Sequence, residues 1–305
     1  MKISLISTVK DAAPFVGEFL ASVAAQTRPP DEVVVVDGGS TDGTLEVIRG
    51  ANGVVVIEEP GANIARGRAL AIAAATHDAI AVTDADCVLD PTWLERLEAL
   101  LEAGADVAMG SYAPTARNLF EVCSAAVHVP EPDELDEARF MPSSRSVAFR
   151  REAYEIAGGY PEWLEVGEDM YLDHRWRELG MDMRLNPAAV AYWRVRPTLR
   201  STWGQYFSYA RGDALAGMYP NRHALRFATY ASAVALTRRR AGRLAVMVAG
   251  GCYASRPVRR ALVRLRGEPV KQAATLVGVP ALVAFTDLAK MAGYLSGLAA
   301  RRSRS

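Results

Sequence analysis

The sequence predicts an α/β fold with a mostly parallel central sheet, followed by a helical C-terminal appendage rich in arginine and aliphatic residues. Three observations predict it. Short apolar, β-branched runs alternate with stretches of helical spacing through the first 110 residues, as repeated βαβ units require. Acidic or glycine-rich turns close several of those runs. Charge then divides sharply along the chain: residues 1–195 hold 16 Lys and Arg against 32 Asp and Glu, a net of −16. Residues 196–305 hold 19 against 3, a net of +16, so the formal total of zero conceals two oppositely charged halves.

The elements follow in order. Lys2–Thr8 reads as a strand, and 14–25 has helical spacing with Phe15, Phe19, Leu20 and Val23 on one face. Glu32–Val36 is a continuous β-branched run, suited to a strand buried on both faces. A short helix over 41–49, a strand over 54–57, a helix over 63–75 and a strand over 79–83 come next. Pro91–Glu102 reads as a helix with proline in its first turn. A further strand covers 106–109, and from there the pattern loosens. Glu131–Glu137 reads as an acidic exposed loop, 146–149 and 188–193 as strands, 169–179 as a helix closed by Gly180, and 201–217 as an aromatic-rich helix.

Composition suggests an α/β domain over 1–220 and a helical region over 221–305. Residues 225–254 are long enough to span a bilayer, but Arg238, Arg239, Arg240 and Arg243 sit in the middle, a cluster that would cost several kcal/mol at the membrane centre. Residues 273–299 contain Asp287 and Lys290. Amphipathic helices lying in a membrane interface, with arginines reaching headgroups, fit this pattern. A helical hairpin packed on the protein's own surface is the alternative, and a homodimer through this region stays open. The three cysteines, Cys87, Cys123 and Cys252, are too widely spaced for a disulfide framework or a zinc site, so a reduced, cytoplasmic compartment is expected. Ile3–Val9 is too short and polar for the apolar core of a signal peptide.

Three acidic signals carry candidate chemistry. Asp37-Gly38-Gly39-Ser40-Thr41-Asp42-Gly43-Thr44 follows the second strand, where ligands of open parallel sheets bind; the glycines would let a ligand approach the backbone. Ser40 or Asp42 could cap the next helix, and a tight capped turn without a ligand is the plainer alternative. Thr83-Asp84-Ala85-Asp86 ends another apolar strand, where two carboxylates could share a divalent cation with a ribose or diphosphate. Gly167-Glu168-Asp169 opens a helix; beside the other two sites, a general base reads better there than a simple dipole-friendly cap.

The order D-G-G-S-T-D-G-T, D-A-D, G-G-Y (Gly158–Tyr160) and G-E-D closely resembles the family 2 glycosyltransferases of GT-A fold, inverting enzymes that use nucleotide sugars, over about residues 1–215. The resemblance implies that Asp37 and the early loop Thr8–Asp11, with Gly39, hold the nucleotide, that Asp84 binds sugar or ribose, and that Asp86 binds Mn or Mg and the diphosphate. It further implies Asp169 as catalytic base, with Glu168 shaping the acceptor site. Arg66, Arg145 and Arg211 are candidates for the diphosphate or an anionic acceptor, since guanidinium forks match phosphate oxygens; each could equally be an ordinary ion-pair residue.

Two departures stand out. Many relatives place a metal-binding His where this chain reads Ala191-Tyr192-Trp193-Arg194, so the metal would have fewer protein ligands or Trp193 would stack on something instead. Processive synthases carry Q-x-x-R-W, whereas this chain has Gln205 through Gly212 in a different arrangement, which favours transfer of one sugar. His174 is expected to be structural. The expected reaction moves a sugar, UDP-linked by the family analogy, to a lipid-linked or cell-envelope glycan acceptor at the inner membrane face. A sugar nucleotidyltransferase is the enzymic alternative, but Ser4–Asp11 lacks the glycine-rich loop it needs. A non-catalytic nucleotide-sugar binder fits poorly with Asp84, Asp86 and Asp169 all present, and the tail is too aliphatic for nucleic acid.

Overall fold

Residues 1–303 are described in the structure, which is a computed structural model. Its strands are β1 (Ile3–Val9), β2 (Glu32–Asp37), β3 (Val54–Glu58), β4 (Ala79–Val82), β5 (Cys87–Leu89), β6 (Val107–Thr115), β7 (Val147–Arg150) and β8 (Met183–Arg194). Its helices are α1 (Ala13–Ala24), α2 (Thr44–Arg49), α3 (Ile64–Ala74), α4 (Trp93–Glu102), α5 (Leu119–His128), α6 (Arg151–Ile156), α7 (Glu168–Glu178), α8 (Leu199–Ala216), α9 (Pro220–Leu236), α10 (Arg240–Arg264) and α11 (Pro269–Arg302). The chain divides into two compact units: Met1–Ala113 with Pro132–Arg194, and Pro114–Glu131 with the residues from Val195 onward. Residue 220, where composition suggests a boundary, lies in the second unit as the first residue of α9.

In the first unit one sheet runs β3-β2-β1-β4-β7-β6-β8-β5. β1 to β4 are parallel, joined through helices as parallel pairs require. β7 pairs antiparallel with both β4 and β6, and β5 antiparallel with β8, so the sheet is mixed. The Val33–Val36 run is buried in β2, and α1 covers the sheet with Val16, Phe19 and Val23 at helical spacing. α4 buries Trp93, Leu94, Leu97 and Leu101, and the Trp93 indole donates to Ser146 Oγ at 2.8 Å.

Two features escape the sequence pattern. β5 has only three residues, too few for a periodic signal, and β8 begins at Met183, before the Asn186-Pro187 pair that reads as a break. β5 nevertheless matters, because its register sets Cys87 opposite Trp193. The D-A-D motif is therefore the turn between β4 and β5, closed by the Cys87 N–H on the Asp84 carbonyl at 3.0 Å.

The second unit is helical. Residues 225–254 are not one helix, as their apolar length suggested. α9 ends at Leu236, and α10 starts at Arg240, so Arg238 and Arg239 lie in a turn where their charges remain in water. α11 packs along α8 through small residues: a Cβ on Gly297 would meet the Arg211 carbonyl oxygen at 2.5 Å, and one on Gly293 would strike the Phe207 carbonyl. Val279 and Leu282 of α11 form a core with Cys123 and Ala126 of α5 and Ala261 of α10. Among the described residues α11 is the one helix long and apolar enough to cross a membrane, a test that a partly buried core helix also meets.

Gly110 is the tightest point of the first unit's sheet. A Cβ there would meet the Ala189 carbonyl oxygen at 2.5 Å and collide with Ser146 Oγ. Gly110→Ala is expected to destabilise by about 2 kcal/mol through overpacking. Gly17→Ala, on an exposed helical position with open space around it, is expected to stabilise by up to about 1 kcal/mol. Thermal or urea unfolding of both variants checks the opposite signs.

Candidate active site

Two loops at the carboxyl ends of β1 and β2 are stitched together. Asp11, with φ 49°, accepts from the Thr41 N–H at 2.9 Å and donates its own N–H to Ser40 Oγ at 2.9 Å. Next along, the Ala12 N–H donates to Thr44 Oγ1 and the Ala13 N–H to Asp42. The Thr44 hydroxyl, with the Ala13 and Thr44 N–H groups, holds the Asp42 carboxyl below its ordinary pKa. Asp37 is buried and accepts from the Gly39 and Ser40 N–H groups, both at 2.9 Å, and from Ser40 Oγ at 2.5 Å. A carboxylate offers about four lone-pair sites, so Asp37 shapes this turn first and has about one left for anything else. Gly39 holds φ 90°, and a Cβ there would meet Pro60 at 3.2 Å. Thr8 lies half-buried at the end of β1, and Gly67 of α3 approaches it so closely that a Cβ would come within 2.8 Å of its methyl.

That close approach brings in a residue the sequence pattern does not announce. Arg68, on α3, is 2% exposed and spans two acidic motifs. One guanidinium nitrogen donates to Asp84 at 2.6 Å, and the other pairs with Glu168. Burial works to lower the Arg68 pKa, but the charges of Asp84 and Glu168 outweigh it, so the guanidinium stays charged. Its Cζ lies 5.4 Å from the centre of the Tyr160 ring. Gly158 and Gly159, at φ 87° and 71°, turn the chain so that Tyr160 enters there. The G-G-Y motif thus places an aromatic ring under the central cation.

Glu168 is 4% exposed. Burial, helped by the charge on Asp169 and opposed by Arg68, pushes its carboxyl up to about 7. Asp173, one turn further along α7, is also buried and raised well above its ordinary value, by burial first and Asp169 second.

The segment Ser143-Ser144-Arg145-Ser146, just before β7, reaches Asp169, Tyr160 and Asp84. Ser143 Oγ donates to Asp169 at 2.9 Å, and Ser144 Oγ bonds Tyr160 OH at 2.7 Å. Arg145 Nε sits 3.4 Å from Asp84, with its guanidinium 4.7 Å from the centre of the Trp193 ring. Ser146 Oγ donates to the Ala189 carbonyl at 3.0 Å. Trp193, in the stretch that lacks a His, therefore stacks on Arg145, placed by the Cys87–Trp193 register.

Of the expected site residues, Asp84, Arg145, Glu168 and Asp169 come together around Arg68, and Asp86 shares the turn with Asp84. Thr8, Asp11, Asp37 and Gly39 form the adjoining loop pair. Arg66 is exposed and forked between Glu59 and Glu162 at 3.1 Å each, the ordinary ion-pair arrangement. Arg211 lies on α8 of the second unit, and His174 on α7. Among the described residues no three His, Cys, Asp or Glu side chains are grouped as a metal site. Asp84 is committed to two arginines, Arg68 at 2.6 Å and Arg145 at 3.4 Å. Arg68 and the serines could not be foreseen: one arginine in an alanine-rich helix and a serine-rich loop carry no spacing that points to a partner.

Comparison with known proteins agrees with this geometry. Residues 4–122 match the family described as Glycosyl transferase family 2. The chain is 28% identical over 196 residues to the succinoglycan biosynthesis protein ExoA of Rhizobium meliloti (strain 1021), covering 60% of this chain and 59% of that protein. It is 25% identical over 206 residues to the glycosyltransferase AglE of Haloferax volcanii, covering 64% and 67%. Among solved structures it resembles S. aureus TarS 1–349, with a TM-score of 0.55 and 17% identity over 100% of this chain and 92% of that one. It also resembles the mannosyltransferase PcManGT from Pyrobaculum calidifontis, whose structure is a complex with GDP-Man and Mn2+, with a TM-score of 0.56 and 20% identity over 99% and 87%. Residues 4–122 therefore carry a family 2 glycosyltransferase domain, and the fold is that of the GT-A class. The chain spans less than two thirds of the length of the succinoglycan protein.

Two outcomes are expected. Arg68→Met removes the buried cation, leaves Asp84 and Glu168 uncompensated, and should cost roughly 3 kcal/mol or more in urea unfolding. Glu168 holds its proton more tightly folded than unfolded, so its contribution is fully present below about pH 4.5 and is lost as pH rises through about 7. Asp173 tilts stability the same way. Glu168→Gln should flatten the decline between those values, measured as the unfolding midpoint against pH.

Proposed function

We propose that this protein transfers a single sugar from a nucleoside-diphosphate sugar to a hydroxyl acceptor with inversion, using Asp169 as base. The observation that carries the proposal is the buried Arg68, which holds the strand-end Asp84 and the helix-start Glu168 in one site beside Asp169. Asp169 accepts from Ser143 Oγ and from the Met170 N–H, so its carboxylate is oriented before any acceptor arrives. In the reaction an acceptor oxygen attacks the anomeric carbon from the face opposite the diphosphate. The carbon–oxygen bond to phosphate breaks, the nucleoside diphosphate leaves, and the acceptor proton passes to Asp169. Asp86 would hold Mn or Mg, which when bound neutralises charge on the departing diphosphate. Arg145, seated on Trp193, adds positive charge beside Asp84 for the same phosphates. The loop pair around Asp11, Asp37 and Gly39 would take the nucleoside, and Glu168 would border the acceptor.

The donor is expected to be UDP-linked, by the family analogy. The acceptor fits a lipid-linked or cell-envelope glycan, a reading supported by relatives named for succinoglycan biosynthesis and as an O-antigen chain rhamnosyltransferase. The second unit, with a net charge of +16 from residue 196 onward and exposed Leu225, Val234, Leu244 and Met247, would lie on the cytoplasmic face of an anionic membrane.

Incubation with Mn2+ or Mg2+ and a panel of nucleotide sugars tests the reaction by nucleoside diphosphate release. One donor should support metal-dependent release, lost by on the order of 10²-fold or more in Asp169→Asn and in Asp86→Ala. Calorimetric titration that finds no metal-dependent binding of any nucleotide would overturn the proposal.

A further inference from the structure

The second unit contains a cavity of about 450 Å³, within the range of small-molecule sites, lined on α10 by Cys252, Tyr253, Arg256 and Arg260 and on α11 by Asp287 and Lys290. Its one acid is already answered. Asp287 is buried and accepts from Arg226 Nε at 2.9 Å and from the Tyr230 and Tyr253 hydroxyls at 3.2 Å each. Lys290, its ammonium 3.9 Å from Asp287, is three-quarters buried and 5.0 Å from the Tyr206 ring centre. Arg256, Arg260 and Lys290 thus line the cavity beside a single acid, Asp287, which Arg226 pairs from outside the lining. Burial pulls the Lys290 ammonium down to about 8, against the pull of Asp287, so an added anion there would restore its charge.

Apolar surface leads to the same place. On α10 Leu244 and Val248 are exposed and lie eight and four residues before Cys252, on one helix face that runs to the cavity. Met247 beside them is 73% exposed. A basic pocket that ends an exposed apolar stripe has the shape of an amphiphile with an anionic head.

We infer that this cavity binds the phosphate monoester headgroup of a membrane lipid, whose chains lie along the α10 stripe. The inference rests on the membrane-surface placement of the second unit. A phosphate monoester suits it because it carries more charge than a diester and presents three oxygens to three cations.

The test is co-sedimentation of the full chain with phosphatidylcholine vesicles doped with either phosphatidic acid or phosphatidylglycerol, adjusted to equal surface charge. Phosphatidic acid should be preferred on the order of five-fold. Lys290→Met and Arg256→Gln should each lose that preference; Arg256 is exposed, so its variant is secure against misfolding. Joint replacement of Arg238, Arg239 and Arg243 by Gln should weaken binding to both vesicles and keep the preference. Equal binding to the two lipids, or a preference that survives in both cavity variants, overturns the site while leaving membrane placement standing. Failure to bind either vesicle sinks membrane placement and the site together. Calorimetric binding of inorganic phosphate that is lost in Lys290→Met, without vesicle binding, would reassign the cavity to a soluble phosphate and overturn the lipid.

Discussion

A single buried cation organises the first unit. Acidic groups at the end of β4 and at the start of α7 repel one another in a region of low dielectric, and neither motif supplies its own counter-charge. Arg68 does so for both, from a third element. Its position depends on α3 lying close against β1, which Gly67 permits, and on Tyr160 beneath it, which two left-handed glycines deliver. Lysine would not serve equally: a planar fork reaches two carboxylates at once, whereas an ammonium is a point charge.

The frame of this unit was legible because its signals are local. β2 is a run of four valines closed by an aspartate, and α1 shows its apolar face at helical spacing; both formed where their patterns lie. The acidic motifs were legible as well, each following an apolar run or opening a helix. What holds them together was not. Arg68 and Ser143–Ser146 act across 16 to 100 positions of sequence, and no periodicity registers a contact at that distance. β5 escaped because three residues make no pattern, yet its pairing with β8 decides that Trp193 faces the D-A-D turn.

In the second unit the charges misled in an instructive way. Arg238 and Arg239, inside an apolar stretch, look like a penalty paid at the centre of one long helix. They occur instead where the chain turns between α9 and α10, so the stretch is two helices and the charges remain hydrated. Asp287 and Lys290 look equally misplaced on an apolar helix. They face an interior built from Arg226, two tyrosines and the neighbouring helices, which is why that part of α11 is buried. Small residues at Gly293 and Gly297 let α8 approach closely enough to complete this packing.

Trp193 bears on the charge of the site, because its ring lies 4.7 Å from the Arg145 guanidinium. An imidazole there would recruit positive charge from solution as an ion. An indole recruits it from the chain itself, as Arg145. Part of the positive charge beside Asp84 is therefore encoded in the polypeptide and present from the moment of folding. That share is indifferent to the supply of free metal and out of reach of any chelator.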